Sequence, residues 1–129
     1  MPQVPVISII DDDPSVREAT HRLVRSLGYI ARVFVSAEEF LRSSQVCENS
    51  CVISDVKMPG MSGVELQRHL QMQGCHVPLI FMTAFSEESV RTQALNAGAI
   101  CFLNKPLDVS TLIKHLDTAL KKRPGPPNK

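Results

Sequence analysis

Several apolar runs in this chain end on residues able to do chemistry. Asp11, Asp12 and Asp13 follow Val6–Ile10, and Asp55 closes the run Cys51, Val52, Ile53, Ser54. Thr83 ends Leu79–Thr83, and Lys105 with Pro106 follows residues 100–104. A carboxylate delivered by a strand end can cap a helix, bind a hard cation through oxygen, or act as a nucleophile. A threonine hydroxyl can donate to an anionic oxygen, and a lysine ammonium can offset its charge. Seen alone, the triple acid is an ordinary capping cluster, Thr83 an ordinary strand residue and Lys105 a solvated charge. The chemistry requires that they meet, so the elements that carry them decide the reading.

Those elements are short and regular. Val6–Ile10 reads as a central strand, after which Pro14 suits the first turn of a helix capped by Asp13. Val16, Ala19, Thr20, Leu23 and Leu27 form its apolar stripe, and Gly28 stops it. Residues 31–35 make a second strand nearer an edge, because Arg32 interrupts it. Ser36 and Glu39 have capping-box spacing at a brief second helix, and residues 43–50 read as a polar loop. The Asp55 strand is followed by Pro59-Gly60 turn chemistry, and Ser62 with Glu65 repeats the capping-box spacing at a helix running toward Gly74. After Leu79–Thr83, Ser86 with Glu87 and Glu88 marks a fourth helix with a thin stripe of Val90, Ala94 and Ala97. A last helix, capped by Asp108, carries the clearest period in the chain: Val109, Leu112, Ile113, Leu116 and Leu120.

Strict alternation of strand and helix predicts an α/β fold: a five-stranded parallel sheet in the order 2-1-3-4-5 with helices on both faces, flavodoxin-like. In that order the ends of the first, third, fourth and fifth strands surround one crevice, so Asp11–Asp13, Asp55, Thr83 and Lys105 are expected to converge there. At 129 residues the chain is expected to hold one such domain over residues 1–121, with 122–129 a basic Pro/Gly-rich tail or linker.

Composition narrows the function classes. A formal net charge of +1 supplies no general attraction to nucleic acid or membrane, so any partner must be recognised locally. No apolar run approaches membrane-spanning length, and a soluble cytoplasmic protein is expected. Cys47, Cys51, Cys75 and Cys101 have no C-x-x-C or zinc-finger spacing and are read as free thiols. His21, His69, His76 and His115 share no metal-ligand spacing and are read as surface or internally satisfied residues.

The joint occurrence of I-I-D-D-D-P-S-V-R, S-D-V-K-M-P-G-M-S-G, F-M-T-A, A-G-A and F-L-N-K-P closely resembles the receiver domain of two-component response regulators. That resemblance implies that Asp55 is the phosphoacceptor and that Mg²⁺ (or Mn²⁺) is the cofactor. The implied metal set is Asp12, Asp55 and the backbone carbonyl of Lys57, with Asp11 acting through water. Lys105 would contact the phosphoryl oxygens, aimed by a cis peptide before Pro106. Thr83 and Phe102 would be the switch residues, acting on the face of the fourth helix, fifth strand and fifth helix. The implied partners are a sensor histidine kinase or phosphotransfer protein and a second copy in a phosphorylation-dependent homodimer. S-A-E-E-F-L and M-S-G-V-E-L look like receivers joined to a helix-turn-helix output domain of the LuxR type, which would lie outside this chain. No direct nucleic-acid binding and no membrane contact are expected of the domain, nor turnover of an external substrate.

Other classes stay open at this point. Asp11-x-Asp13 after a strand resembles the nucleophile and acid of haloacid-dehalogenase-type phosphatases, though their later acidic motif is missing. A receiver-like module that works unphosphorylated is a third reading. A flavin-binding flavodoxin fits less well, because acids rather than a phosphate-cradling loop follow the first strand.

Overall fold

The structure, a computed structural model, describes residues 4–43, 46–85, 87–105 and 108–122. The strands are β1 (Val6–Ile10), β2 (Ile30–Phe34), β3 (Cys51–Asp55), β4 (Leu79–Thr83) and β5 (Cys101–Asn104), all parallel in the order β2-β1-β3-β4-β5. Between and after them lie α1 (Pro14–Ser26), α2 (Ala37–Arg42), α3 (Gly63–Met72), α4 (Glu88–Asn96) and α5 (Val109–Lys122). This is the expected architecture. β3 and β4 are buried along their whole length, as strands covered on both faces must be, and β2 is an edge strand that exposes Ile30 and Val33.

Two apolar layers sandwich the sheet. Ile10, Val52 and Phe81 pack with Phe40 of α2, Leu66 and Leu70 of α3, and Ala94 of α4. On the other face Ile7, Ile9, Ile53, Ile80 and Met82 pack with Val24 of α1 and Leu112, Leu116 and Ala119 of α5. The side-chain period of two along each strand sorts these residues between the faces. Full burial of each large aliphatic side chain contributes roughly 1.5–3 kcal/mol, enough for the sheet to hold polar groups at its rim.

The helix starts follow their caps. Asp13 accepts from the amides of Ser15 (2.9 Å) and Val16 (3.4 Å), with Pro14 in the first turn. Ser62 and Glu65 form a reciprocal capping box, at 3.1 and 2.8 Å. The box expected at α2 is displaced by one residue: Ser36 Oγ takes the Glu39 amide, but the Glu39 carboxylate takes the Val35 amide at 2.7 Å. At α4 the N-cap is Glu87, without a side-chain cap bond, and the start expected at Ser86 falls outside the described residues. Asp108 accepts from the Thr111 amide at 3.2 Å, as expected of a cap on α5.

Other expectations are corrected. Residues 43–50 are not simply a polar loop: Val46–Glu48 forms a 3-10 turn and Asn49 is buried, its Oδ1 accepting from Ser8 Oγ at 2.5 Å while its Nδ2 donates to the Val46 carbonyl at 2.9 Å. A buried polar group of this kind needs such partners, and Ser8 comes from β1, far away in sequence, while Val46 lies in the same turn. Cys47 and Cys75 are bonded as a disulfide, Cα atoms 5.2 Å apart, whereas Cys51 and Cys101 are buried free thiols as read. Burial raises both free thiols, Cys101 to about 12, which leaves them protonated. The α5 stripe is wider than its contact with the sheet, so Val109 and Ile113 are 52% and 39% exposed. α5 runs to Lys122, one residue past the expected end of the domain, and the rest of the expected tail lies outside the described residues, as does Pro106. Among the described residues no helix is long and apolar enough to cross a membrane.

Candidate functional site

Strand register builds the site. Ile10 pairs with Ser54, Asp55 with Met82, and Thr83 with Asn104, so the residues that follow leave the sheet along a single edge. The ladder continues slightly past the strands through Asp11 N to Phe34 O (3.1 Å), Val56 N to Met82 O (3.0 Å) and Lys105 N to Thr83 O (2.8 Å). The backbone of each site residue is thus held before its side chain is considered.

Asp11, Asp12 and Asp55 converge, with one oxygen of each within 4.8 Å of the others. Asp11 is fully buried, Asp55 is 6% exposed, and Asp12 is exposed at the mouth. Lys105 reaches into the group, its Nζ 3.0 Å from Asp11 Oδ2 and 3.1 Å from Asp55 Oδ2. Asp11 Oδ1 accepts from the Asp13 amide at 2.9 Å, while the partner of its buried Oδ2 is the Lys105 ammonium. Asp13 faces the α1 amides and stays out of the cluster, which disfavours the Asp11-x-Asp13 pairing of a dehalogenase-type phosphatase.

The electrostatics follow from this crowding. Burial is the largest influence on Asp55 and the Asp11 charge the next, and against the opposing pull of Lys105 they push its carboxyl up to about 6, with Asp12 adding to the rise. Burial works against the Lys105 ammonium, but Asp11 and Asp55 outweigh it and hold the amine above its ordinary value. Three carboxylates against one ammonium leave a formal charge of −2 when all are ionised. Oxygen donors on three converging carboxylates and that residual charge fit a hard divalent cation.

The other expected residues make contacts of their own. Thr83 is buried, and its Oγ donates to the Phe85 carbonyl (2.9 Å) while accepting from the Phe85 amide (3.1 Å), so the hydroxyl is engaged within its own loop. The Lys57 side chain is turned to the rim, its Nζ 3.4 Å from Glu87 and 6.0 Å from the centre of the Phe85 ring. Phe102 is half-buried, with its ring centroid 6.3 Å from that of Phe81.

Three supporting contacts were not read from the sequence. Arg17 of α1 donates to the Asp11 carbonyl at 2.8 Å. Gly63 opens α3 directly over β3, where a methyl group would overlap the Asp55 carbonyl oxygen and lie 2.9 Å from the Phe81 ring. Glu38 accepts from the Met61 amide at 2.8 Å. Only Gly63 had a signal, as the glycine ending the turn after Asp55.

Fold and pocket together define a doubly wound α/β domain with an acidic, lysine-buttressed cleft at the carboxyl edge of its sheet. The chain belongs to the response regulator receiver domain family, whose model matches residues 7–117. It is 41% identical to the response regulator protein TmoT of Ectopseudomonas mendocina over 95% of this chain and 56% of that protein. Against TodT of Pseudomonas putida it is 40% identical over 92% of this chain and 52% of that one. Among solved structures, the crystal structure of FixJ-N aligns with a TM-score of 0.87 at 29% identity, covering 97% of this chain and 100% of that one. Response regulator StyR aligns with a TM-score of 0.87 at 36% identity, covering 94% and 61%. The chain therefore spans about half the length of the curated relatives it matches.

Receiver domains of this family signal through histidine kinases, and relatives of this chain are transcriptional regulators, such as the transcriptional regulatory protein FixJ of Azorhizobium caulinodans.

Proposed function

We propose that Asp55 is the phosphoacceptor of a response regulator and takes its phosphoryl group from a histidine kinase or phosphotransfer partner. The observation that carries this is the convergence of Asp11, Asp12 and Lys105 on Asp55 at a sheet edge open to solvent. An Asp55 carboxylate oxygen attacks phosphorus, the bond from phosphorus to the donor's imidazole nitrogen breaks, and the imidazole leaves with that electron pair. Asp12, Asp55 and the Lys57 carbonyl would hold Mg²⁺ (or Mn²⁺), with Asp11 reaching it through water. The ion, when bound, offsets the repulsion between carboxylate and phosphoryl oxygens. Lys105 is already within 3.1 Å of Asp55 and moves to the phosphoryl oxygens once the carboxylate becomes an acyl phosphate. Thr83 exchanges its Phe85 contacts for a phosphoryl oxygen, and Phe102 follows by repacking against Phe81, altering the α4, β5 and α5 face.

In this reading the domain catalyses its own phosphorylation and dephosphorylation and turns over no external substrate. It runs through α5 to Lys122, and residues 123–129 would link it to an output module. A helix-turn-helix module of the LuxR type, dimerised by the altered face, suits the kinship with transcriptional regulators. Incubation with acetyl phosphate and Mg²⁺ should increase the intact mass by one phosphoryl group, and EDTA or Asp55→Asn should prevent it. A phosphoryl adduct that persists in Asp55→Asn and maps to Asp11 would instead favour phosphatase-type chemistry.

A further inference from the structure

The loop between β3 and α3 carries the Lys57 carbonyl that the metal reading assigns to the ion. It leaves Asp55, carries Lys57, and returns at Gly63. Its two ends are tied, since Gly63 N donates to the Val56 carbonyl at 2.8 Å. Between them Gly60 adopts φ +79, a conformation open to glycine and strained for other residues. Against this turn lies a carboxylate from another element. Glu38, on α2, accepts the Met61 amide at 2.8 Å, and a methyl on Gly60 would come within 2.6 Å of Glu38 Oε2. The Met61 contact is also the foremost reason the Glu38 carboxyl is held below its ordinary value. α2 can serve as a fixed mount, because Ala37 and Phe40 on either side of Glu38 are fully buried.

We propose that Glu38 is a positioning residue for the metal site, holding the β3–α3 loop through the Met61 amide and the close-packed Gly60 turn so that the Lys57 carbonyl keeps a fixed place beside Asp55. The inference rests on the metal reading above and extends it to a residue that touches neither metal nor phosphoryl group. Contacts that orient a ligand without binding the ion typically change metal affinity by about 10- to 100-fold. Glu38 acts at the far side of the loop, so the lower end of that range is expected.

The test is calorimetric titration of Mg²⁺ into the whole phosphate-free chain, with thermal melts and amide exchange recorded in EDTA. Glu38→Ala should bind Mg²⁺ about tenfold more weakly with little change in melting temperature, and its Met61 amide should exchange faster. Glu38→Gln keeps an acceptor for that amide and should restore most of the affinity. Gly60→Ala should also weaken binding, and combined with Glu38→Ala it should cost less than the two single losses together, because the contact they share is removed once. Wild-type affinity in Glu38→Ala, failure of Glu38→Gln to recover it, or a loss that simply tracks a lower melting temperature would overturn the role of Glu38 and leave the metal site intact. A wild-type chain that binds no Mg²⁺ would overturn the metal reading and this inference with it.

Discussion

Replacing Asp55 by asparagine should stabilise the metal-free domain while abolishing phosphorylation. The side chain keeps its shape, but one of three crowded carboxylates loses its charge. In the wild-type fold the Asp55 carboxyl is raised from 3.8 to about 6, so its ionised form is disfavoured relative to the unfolded chain. A shift of that size corresponds to at most about 3 kcal/mol. Water at the pocket mouth screens part of it, which leaves about 1–2 kcal/mol. Lys105 loses one partner in the variant but keeps Asp11 at 3.0 Å, so no buried ammonium is stranded.

The pH dependence carries the sign that tests the argument. The folded carboxyl holds its proton to higher pH than the unfolded one, so the folded state binds more protons between about pH 4 and 6, and wild-type stability falls as pH rises through that window. Above about pH 6 the penalty is complete, and below about pH 4 it is absent. For a chain of 129 residues about 1 kcal/mol corresponds to about 4 °C in Tm, so Asp55→Asn should melt about 4–8 °C above wild type at pH 7.5 in EDTA and level with it near pH 4. Saturating Mg²⁺ should raise the wild-type Tm and close the gap. An Asp55→Asn variant no more stable than wild type at pH 7.5, or one whose advantage persists at pH 4, would refute the account of the pocket's electrostatics.

Two further outcomes test the opposite end of the sheet. Asn49→Ala removes the acceptor of the buried Ser8 hydroxyl and should lower stability by about 1–3 kcal/mol in denaturant titration, with the denaturant slope unchanged. Non-reducing peptide mass spectrometry should recover Cys47 linked to Cys75; closing a 28-residue loop, the bond should stabilise the oxidised chain by about 3–4 kcal/mol, so reduction by a dithiol, or Cys47→Ser, should lower the Tm by about 10 °C or more.

The fold was legible because each strand is a short apolar run bounded by turn chemistry, and strict alternation with helices leaves little topological choice. The meeting of Asp11, Asp12, Asp55 and Lys105 followed from strand order alone, since each stands just beyond or at the end of a strand. What stayed hidden are contacts of a side chain with a side chain or backbone group far away in sequence. Asn49 lies in a stretch whose composition reads as loop, and only the fold brings it to Ser8. Glu38 reads as a first-turn acid of α2, and nothing local shows that its carboxylate crosses to Met61. Cys47 and Cys75 have no motif spacing and meet because the segment before β3 lies against the end of α3. In α5, periodicity marks an apolar face without saying how much of it the sheet covers, so Val109 and Ile113 were read together with the buried Leu112 and Leu116.

These contacts divide the molecule unevenly, and the division bears on how a charge change at Asp55 would be felt. At the amino ends of the strands the elements are cross-tied: Asn49 to Ser8, Cys47 to Cys75, and Gln67 and Gln71 of α3 to the Ala94 and Ala97 carbonyls at the end of α4. At the carboxyl edge the N-cap of α4, Glu87, makes no side-chain cap bond and joins the β3–α3 loop through its exposed Lys57 ion pair. An exposed pair of that kind contributes at most about 1 kcal/mol, and the two Thr83 contacts with Phe85 are of similar size each. A charged oxygen arriving beside Asp55 offers Thr83 a stronger, charge-assisted partner than the Phe85 carbonyl. The difference of a few kcal/mol is enough to re-seat the β4–α4 loop and the start of α4, but small against the buried layers that hold the sheet. The response should therefore be a pivot of α4 about its tied carboxyl end, with the sheet unchanged.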